Sequence, residues 1–116
     1  MRQALLAADA AESKKGEQVV ILDMHEVTLV ADYFVIASAS NVIQVQSIAD
    51  AVEESLAEAG ASLPRRIGGA HAHWVVLDYG GLVVHIFTAE ERAYYNLERL
   101  WGDATLVNRQ DYQNVL

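Results

Sequence analysis

At 116 residues the chain fits one domain and is long enough for a single core. Its apolar fraction of 53% excludes wholesale disorder, and no apolar run reaches the roughly 18 residues of a membrane span. The lack of cysteine excludes disulfides and thiolate metal sites, while a net charge of −8 opposes gripping a phosphate backbone and favours encounter with basic proteins. The first apolar stretch is too short for a secretory signal and is interrupted by Asp9 and Glu12, so a cytoplasmic location is expected.

Residues 2–15 are rich in alanine and leucine and meet no breaker before Gly16, which predicts a helix. Residues 19–24 and 33–38 are short, continuous, β-branched runs that predict strands buried on both faces. Between them, residues 25–32 read as a loop with one helical turn. Residues 41–59 predict the best helix of the chain: Asn41 can cap it, Val45, Ile48, Val52 and Leu56 recur at helical spacing, and Gly60 follows where a C′ glycine belongs. Residues 62–67, with Pro64, read as a short edge strand, and residues 68–73 as a loop. Residues 74–78 and 82–87 predict a hairpin closed at Tyr79-Gly80-Gly81. Thr88 with Glu91 forms a capping box for a last helix over residues 89–101. Periodicity is lost after Gly102, so one domain over residues 1–106 and a flexible tail over 107–116 are expected. The order α-β-β-α-β-β-β-α predicts an α/β fold: a mixed sheet of about five strands flanked by helices on both faces.

Three groups of residues could carry function. His71, His73, Asp78 and His85 offer metal-binding or acid–base side chains, but two of the histidines lie in a Gly-Ala loop and the third in an apolar strand. Nucleotide transfer would need a phosphate-binding glycine loop and paired strand carboxylates, and neither pattern is present. No catalytic, cofactor or metal site is therefore expected. The third group is a binding face. Asp50, Glu54 and Glu58 repeat at four-residue spacing, with Glu53 beside them and no cation on the same helix. On the last helix Tyr94, Leu97 and Trp101 share a face and should be core, whereas Tyr95 falls beside Glu91 and Glu98 as an exposed aromatic with a carboxylate rim. Trp74 is a second candidate anchor. A solvated acidic face and ordinary core aromatics are the plain alternatives.

Several segments together resemble the ribosomal silencing factor (Iojap) family. They are Asp32-Tyr33-Phe34-Val35-Ile36-Ala37-Ser38, Gln44-Val45-Gln46-Ser47-Ile48-Ala49-Asp50, Trp74-Val75-Val76-Leu77-Asp78-Tyr79-Gly80, Val83-Val84-His85-Ile86-Phe87, Arg92, Tyr94-Tyr95-Asn96-Leu97-Glu98 and Leu100-Trp101. The resemblance runs over about residues 3–106. It implies a nucleotidyltransferase-like fold without the catalytic residues, and a non-enzymatic repressor that binds protein uL14 of the large ribosomal subunit and blocks joining of the small subunit. It also implies homodimers, and a role in large-subunit assembly among organellar relatives. Three positions depart from the family pattern: Ile67 before Gly68 where a glutamate is usual, Gly81 where the hairpin usually has aspartate, and residues 37–40, which lack the usual glycine. The residues expected to meet uL14 are Trp74, Asp78, Tyr79, His85, Tyr94, Tyr95 and Leu97.

Overall fold

The computed structural model describes residues 1–112. The elements in chain order are α1 (Arg2–Ser13), β1 (Glu17–Asp23), β2 (Tyr33–Ala39), α2 (Val42–Glu58), β3 (Arg65–Ile67), β4 (Trp74–Asp78), β5 (Leu82–Thr88), α3 (Ala89–Tyr95), α4 (Leu97–Leu100) and β6 (Thr105–Leu106). A short 3-10 helix follows at Arg109–Tyr112. The six strands form one mixed sheet in the order β3-β4-β5-β2-β1-β6. Among the described residues only β2 and β5 run parallel, in the register Ile36 to His85. The chain leaves the end of β2, crosses through α2, and returns by the β3–β4 pair before laying β5 beside β2.

Alternation along each strand divides the side chains between two faces. One face presents Ile21, Val35, Ala37, Val75, Leu77, Val84 and Ile86 to α1 and α2, which pack on each other and seal it. Helix α2 contributes Val45, Ile48, Ala49, Val52 and Leu56, all fully buried, and Asn41 caps it by accepting from the Gln44 backbone N–H at 2.9 Å. The Gln44 side chain serves a different purpose: its Oε1 accepts from the backbone and hydroxyl of Ser40, and its amide reaches the carbonyls of Lys14 and Lys15, tying the α1–β1 turn to α2. The opposite face presents Leu22, Phe34, Ile36 and Phe87, over which Met24, Ala31, Leu97 and Trp101 gather. Helix α3 packs mainly on β5 and β2 and touches β4 through its last residue, Tyr95, against Trp74, so among the described residues the β3–β4 end of this face is the less covered one. The expectation of helices across both faces therefore holds fully for one face and partly for the other.

Three further expectations change. Among the described residues the sheet has six strands, because Thr105 and Leu106 pair with Asp23 and Leu22 at its far edge. The chain beyond residue 106 is not loose as far as Tyr112: the Val107 N–H donates to the Ile21 carbonyl at 2.9 Å, and Arg109 reaches Glu12 at 2.6 Å. The remainder of the expected tail, residues 113–116, lies outside the described residues. Finally, the last helix is broken. Asn96 adopts φ 47° and ψ 59°, ending α3 and starting α4. Asparagine tolerates the left-handed region better than most residues, so the break costs little there.

Candidate functional site

The less covered end of this sheet face carries an array of aromatic side chains. Trp74, Val76 and Asp78 project from β4 to this side, and Val83, His85 and Phe87 do so from β5, since Trp74 pairs with Phe87, Val76 with His85 and Asp78 with Val83. The Trp74 ring stacks on Phe87 with centroids 4.6 Å apart and meets Tyr95 at 4.7 Å. Tyr94 lies edge-on to Tyr95 at 5.0 Å. Both tyrosines are exposed, Tyr94 at 80% and Tyr95 at 47%, and Ile67 on the edge strand is exposed beside Val76. The contacts continue inward from Trp74 to His85, from His85 to Phe34 at 4.8 Å and from Phe34 to Trp101 at 6.0 Å.

Backbone geometry sets where Trp74 begins. Gly68 has φ +108°, and a Cβ there would lie 2.7 Å from the Trp74 carbonyl oxygen. Only glycine lets the loop pass this close to the start of β4. At the other end Gly80, with φ +87°, closes the hairpin while the Asp78 carboxylate accepts from its N–H at 2.8 Å.

His85 is buried beneath the array. The Trp74 indole N–H donates to its Nδ1 at 3.2 Å, which places the histidine proton on Nε2. Nε2 is itself buried and has no hydrogen-bond partner among the described residues. Burial pushes the pKa of His85 down to about 4, against the smaller opposing pull of Asp78. The neutral ring therefore orients Trp74 and leaves no charge under the exposed aromatics.

The residues expected from sequence separate into three roles. Trp74, Tyr94 and Tyr95 come together on the open face, while Asp78 lies on the same side at the other end of β4, turned to the hairpin N–H of Gly80. His85 and Leu97 are buried under it and support it. Tyr79 does not join it: one position beyond Asp78, its half-buried ring packs against the core on the α1–α2 side, and its buried hydroxyl has no hydrogen-bond partner among the described residues. Burial, with Glu53 adding repulsion, pushes the Tyr79 pKa up to about 12. Tyr94 was expected in the core with Leu97 and Trp101. The turn at Asn96 shifts the helical phase between them, so Leu97 is buried while Tyr94 faces solvent.

The other candidate groups are dispersed. His71 and His73 border a groove with Ser40, Asn41, Thr88 and Glu90, beyond the strand ends, whereas His85 lies under Trp74. Among the described residues no group of three or more histidine or acidic side chains could hold a metal ion. The acidic stripe of α2 is partly neutralised from outside the helix, since Arg66 on β3 reaches Asp50 at 3.1 Å and Glu53 at 3.4 Å. Glu54 and Glu58 remain exposed. Sequence reasoning gave no role to Arg92. It is 7% exposed and grips Glu98 through Nε at 2.9 Å and Nη2 at 3.1 Å. Its Nη1 donates to the Gln18 carbonyl at 2.7 Å and the Ser38 hydroxyl at 2.8 Å.

Fold and face together define a small α/β domain with one sheet face sealed by two helices and the other partly bare and aromatic. No helix among the described residues is long and apolar enough to cross a membrane. A family model described as "Ribosomal silencing factor during starvation" matches residues 1–115. Proteins named ribosomal silencing factor are 47% identical over 102 residues in Halalkalibacterium halodurans and 44% identical over 103 residues in Bacillus subtilis. The first match covers 88% of this chain and 87% of the relative, the second 89% and 87%. A crystal structure from Chromobacterium violaceum superposes with a TM-score of 0.84 at 33% identity, over 87% of this chain and 84% of that one. The chain belongs to the family of ribosomal silencing factors, and its role is a ribosome-associated one in silencing translation.

Proposed function

We propose that this protein docks the bare aromatic face onto protein uL14 of the large ribosomal subunit and, by occupying that surface, prevents the small subunit from joining. The observation that carries the reading is the exposed Tyr95 ring held against Trp74 at the sparsely covered end of the sheet face. A large aromatic fixed in place before binding loses little conformational freedom on docking, which is why such residues dominate interface energies. Tyr94, Ile67 and Val76 extend the apolar area, and Asp78 supplies a carboxylate for a basic partner. The overall charge of −8 steers the approach. Repression on this reading is steric. It needs no cofactor and no reacting group, and it takes place in the cytoplasm.

The test is co-sedimentation of the purified protein with large ribosomal subunits at moderate salt, followed by a subunit-joining assay. The wild-type chain should pellet with large subunits and reduce joining. Tyr95→Ala and Trp74→Ala should each weaken binding by at least about tenfold if these rings are hot spots. Wild-type protein that stays in the supernatant, or that pellets without affecting joining, sinks the reading. Retained binding without an effect on joining would instead support an assembly role on the same subunit. The exposed rings and Ile67 also make this face the one on which a second copy would pack, so uL14 and a homodimer would compete. Light scattering with and without uL14 measures that competition.

A further inference from the structure

Resting on the docking reading, a second function follows for a residue that touches no partner: we propose that Arg92 is a positioning residue that holds Tyr95 against Trp74. Helix α3 spans seven residues and α4 four, both too short to be stable alone in water. Their direction must come from anchors. Thr88 holds the first turn of α3 by accepting from the Glu91 N–H at 3.4 Å, a long bond. Arg92 holds the other end. It lies three residues before Tyr95, on the same side of the helix, and its backbone carbonyl accepts from the Asn96 N–H at 2.8 Å, at the break itself.

The guanidinium joins four separate pieces of the fold. Its two-pronged contact with Glu98 clamps α4 to α3 across the Asn96 turn. Its remaining donors fasten α3 to Ser38 at the end of β2 and to the Gln18 carbonyl of β1. Gln18 has φ 48°, where the register between β1 and β2 shifts, so its carbonyl is turned out of the ladder to meet the arginine. A planar group with fixed donor directions can satisfy this set, and a lysine ammonium cannot reproduce the fork. Without it, Tyr95 would lose its fixed place on Trp74 and would have to be ordered at each docking event.

The experiment is a double-mutant cycle between Arg92→Lys and Tyr95→Ala, read as affinity for purified large ribosomal subunits. Each single variant should weaken binding about tenfold or more, the scale of a lost charge-assisted contact or hot-spot ring. The pair should be strongly non-additive, with Tyr95→Ala costing little once Arg92 is replaced. Additive losses would show that Arg92 serves the fold alone and would overturn the proposal, as would wild-type affinity for Arg92→Lys. Should Arg92→Lys not fold, Glu98→Gln removes half of the charge pair from its half-exposed side and should show the same coupling in weaker form. Unchanged affinity for Tyr95→Ala alone would remove the docking reading, and this proposal with it. A normal Tyr95 effect without coupling removes only the proposal.

Discussion

Acid should weaken this fold through His85. In the unfolded chain a histidine titrates near 6.5, whereas in the fold burial holds His85 down to about 4. The native ring also accepts the Trp74 N–H at Nδ1, and a protonated ring would oppose one donor with another. Between pH 6.5 and about 4 the unfolded state therefore binds a proton that the folded state refuses, and stability falls as pH falls. The contribution is complete above 6.5 and lost by about 4. At about 1.4 kcal/mol per tenfold change in proton affinity, the difference is on the order of 3 kcal/mol. That is a large part of the stability of a domain this size, commonly about 5–15 kcal/mol. Urea titrations at pH 7.5, 6.5, 5.5 and 4.5 would measure it. His85→Gln keeps an acceptor for the indole and cannot titrate, so its stability should be lower at neutral pH but much flatter across the same range. An equally steep fall in His85→Gln would place the titrating group elsewhere and refute the reasoning.

Two other outcomes follow from the geometry. Gly68→Ala should destabilise by about 1 kcal/mol or more, since φ is positive and the new Cβ would meet the Trp74 carbonyl at 2.7 Å. Because the displaced strand start carries Trp74, affinity for large subunits should fall as well; thermal melts and co-sedimentation test the two together. At the alkaline end, Tyr79 keeps its proton in the fold up to about 12 while the unfolded chain ionises near 10. Stability should fall as pH rises above 10, and Tyr79→Phe should reduce that fall in denaturant titrations followed by fluorescence, leaving the part due to Tyr33, whose pKa burial also raises.

Much of the architecture was legible because the responsible signals are local and strong. The apolar face of residues 41–59, the Asn41 cap and the glycine hairpin each fix their own element without help from the rest of the chain. Thr105 and Leu106 carry no such signal: a two-residue strand has no periodicity, and only the waiting edge of β1 makes it a strand. The break at Asn96 was hidden for a related reason, since the periodic pattern runs through it with neither glycine nor proline. Missing that break misplaced Tyr94, because helical phase cannot be carried across a left-handed residue. The misplacement of Tyr79 is different. Counting from Trp74 by twos puts 74, 76 and 78 on one side and 79 on the other, so the signal was present. Arg92 was illegible. A single arginine near a helix end looks like a solvated cation until the turned-out carbonyl of Gln18 and the hydroxyl of Ser38 are seen beneath it.

The parallel pairing of β2 with β5 has a consequence for how the molecule comes into being. It joins Ile36 to His85, about fifty residues apart, so the middle of the sheet forms only after a long loop closes. During synthesis α1, β1, β2 and α2 emerge well before their central neighbour exists. The hairpin that brings β5 also brings Trp74 and His85, and Tyr95 follows directly behind. The aromatic face is thus completed late, after α1 and α2 and before β6 and the 3-10 helix, and a chain still being made lacks it until the segment around Tyr95 is free to fold.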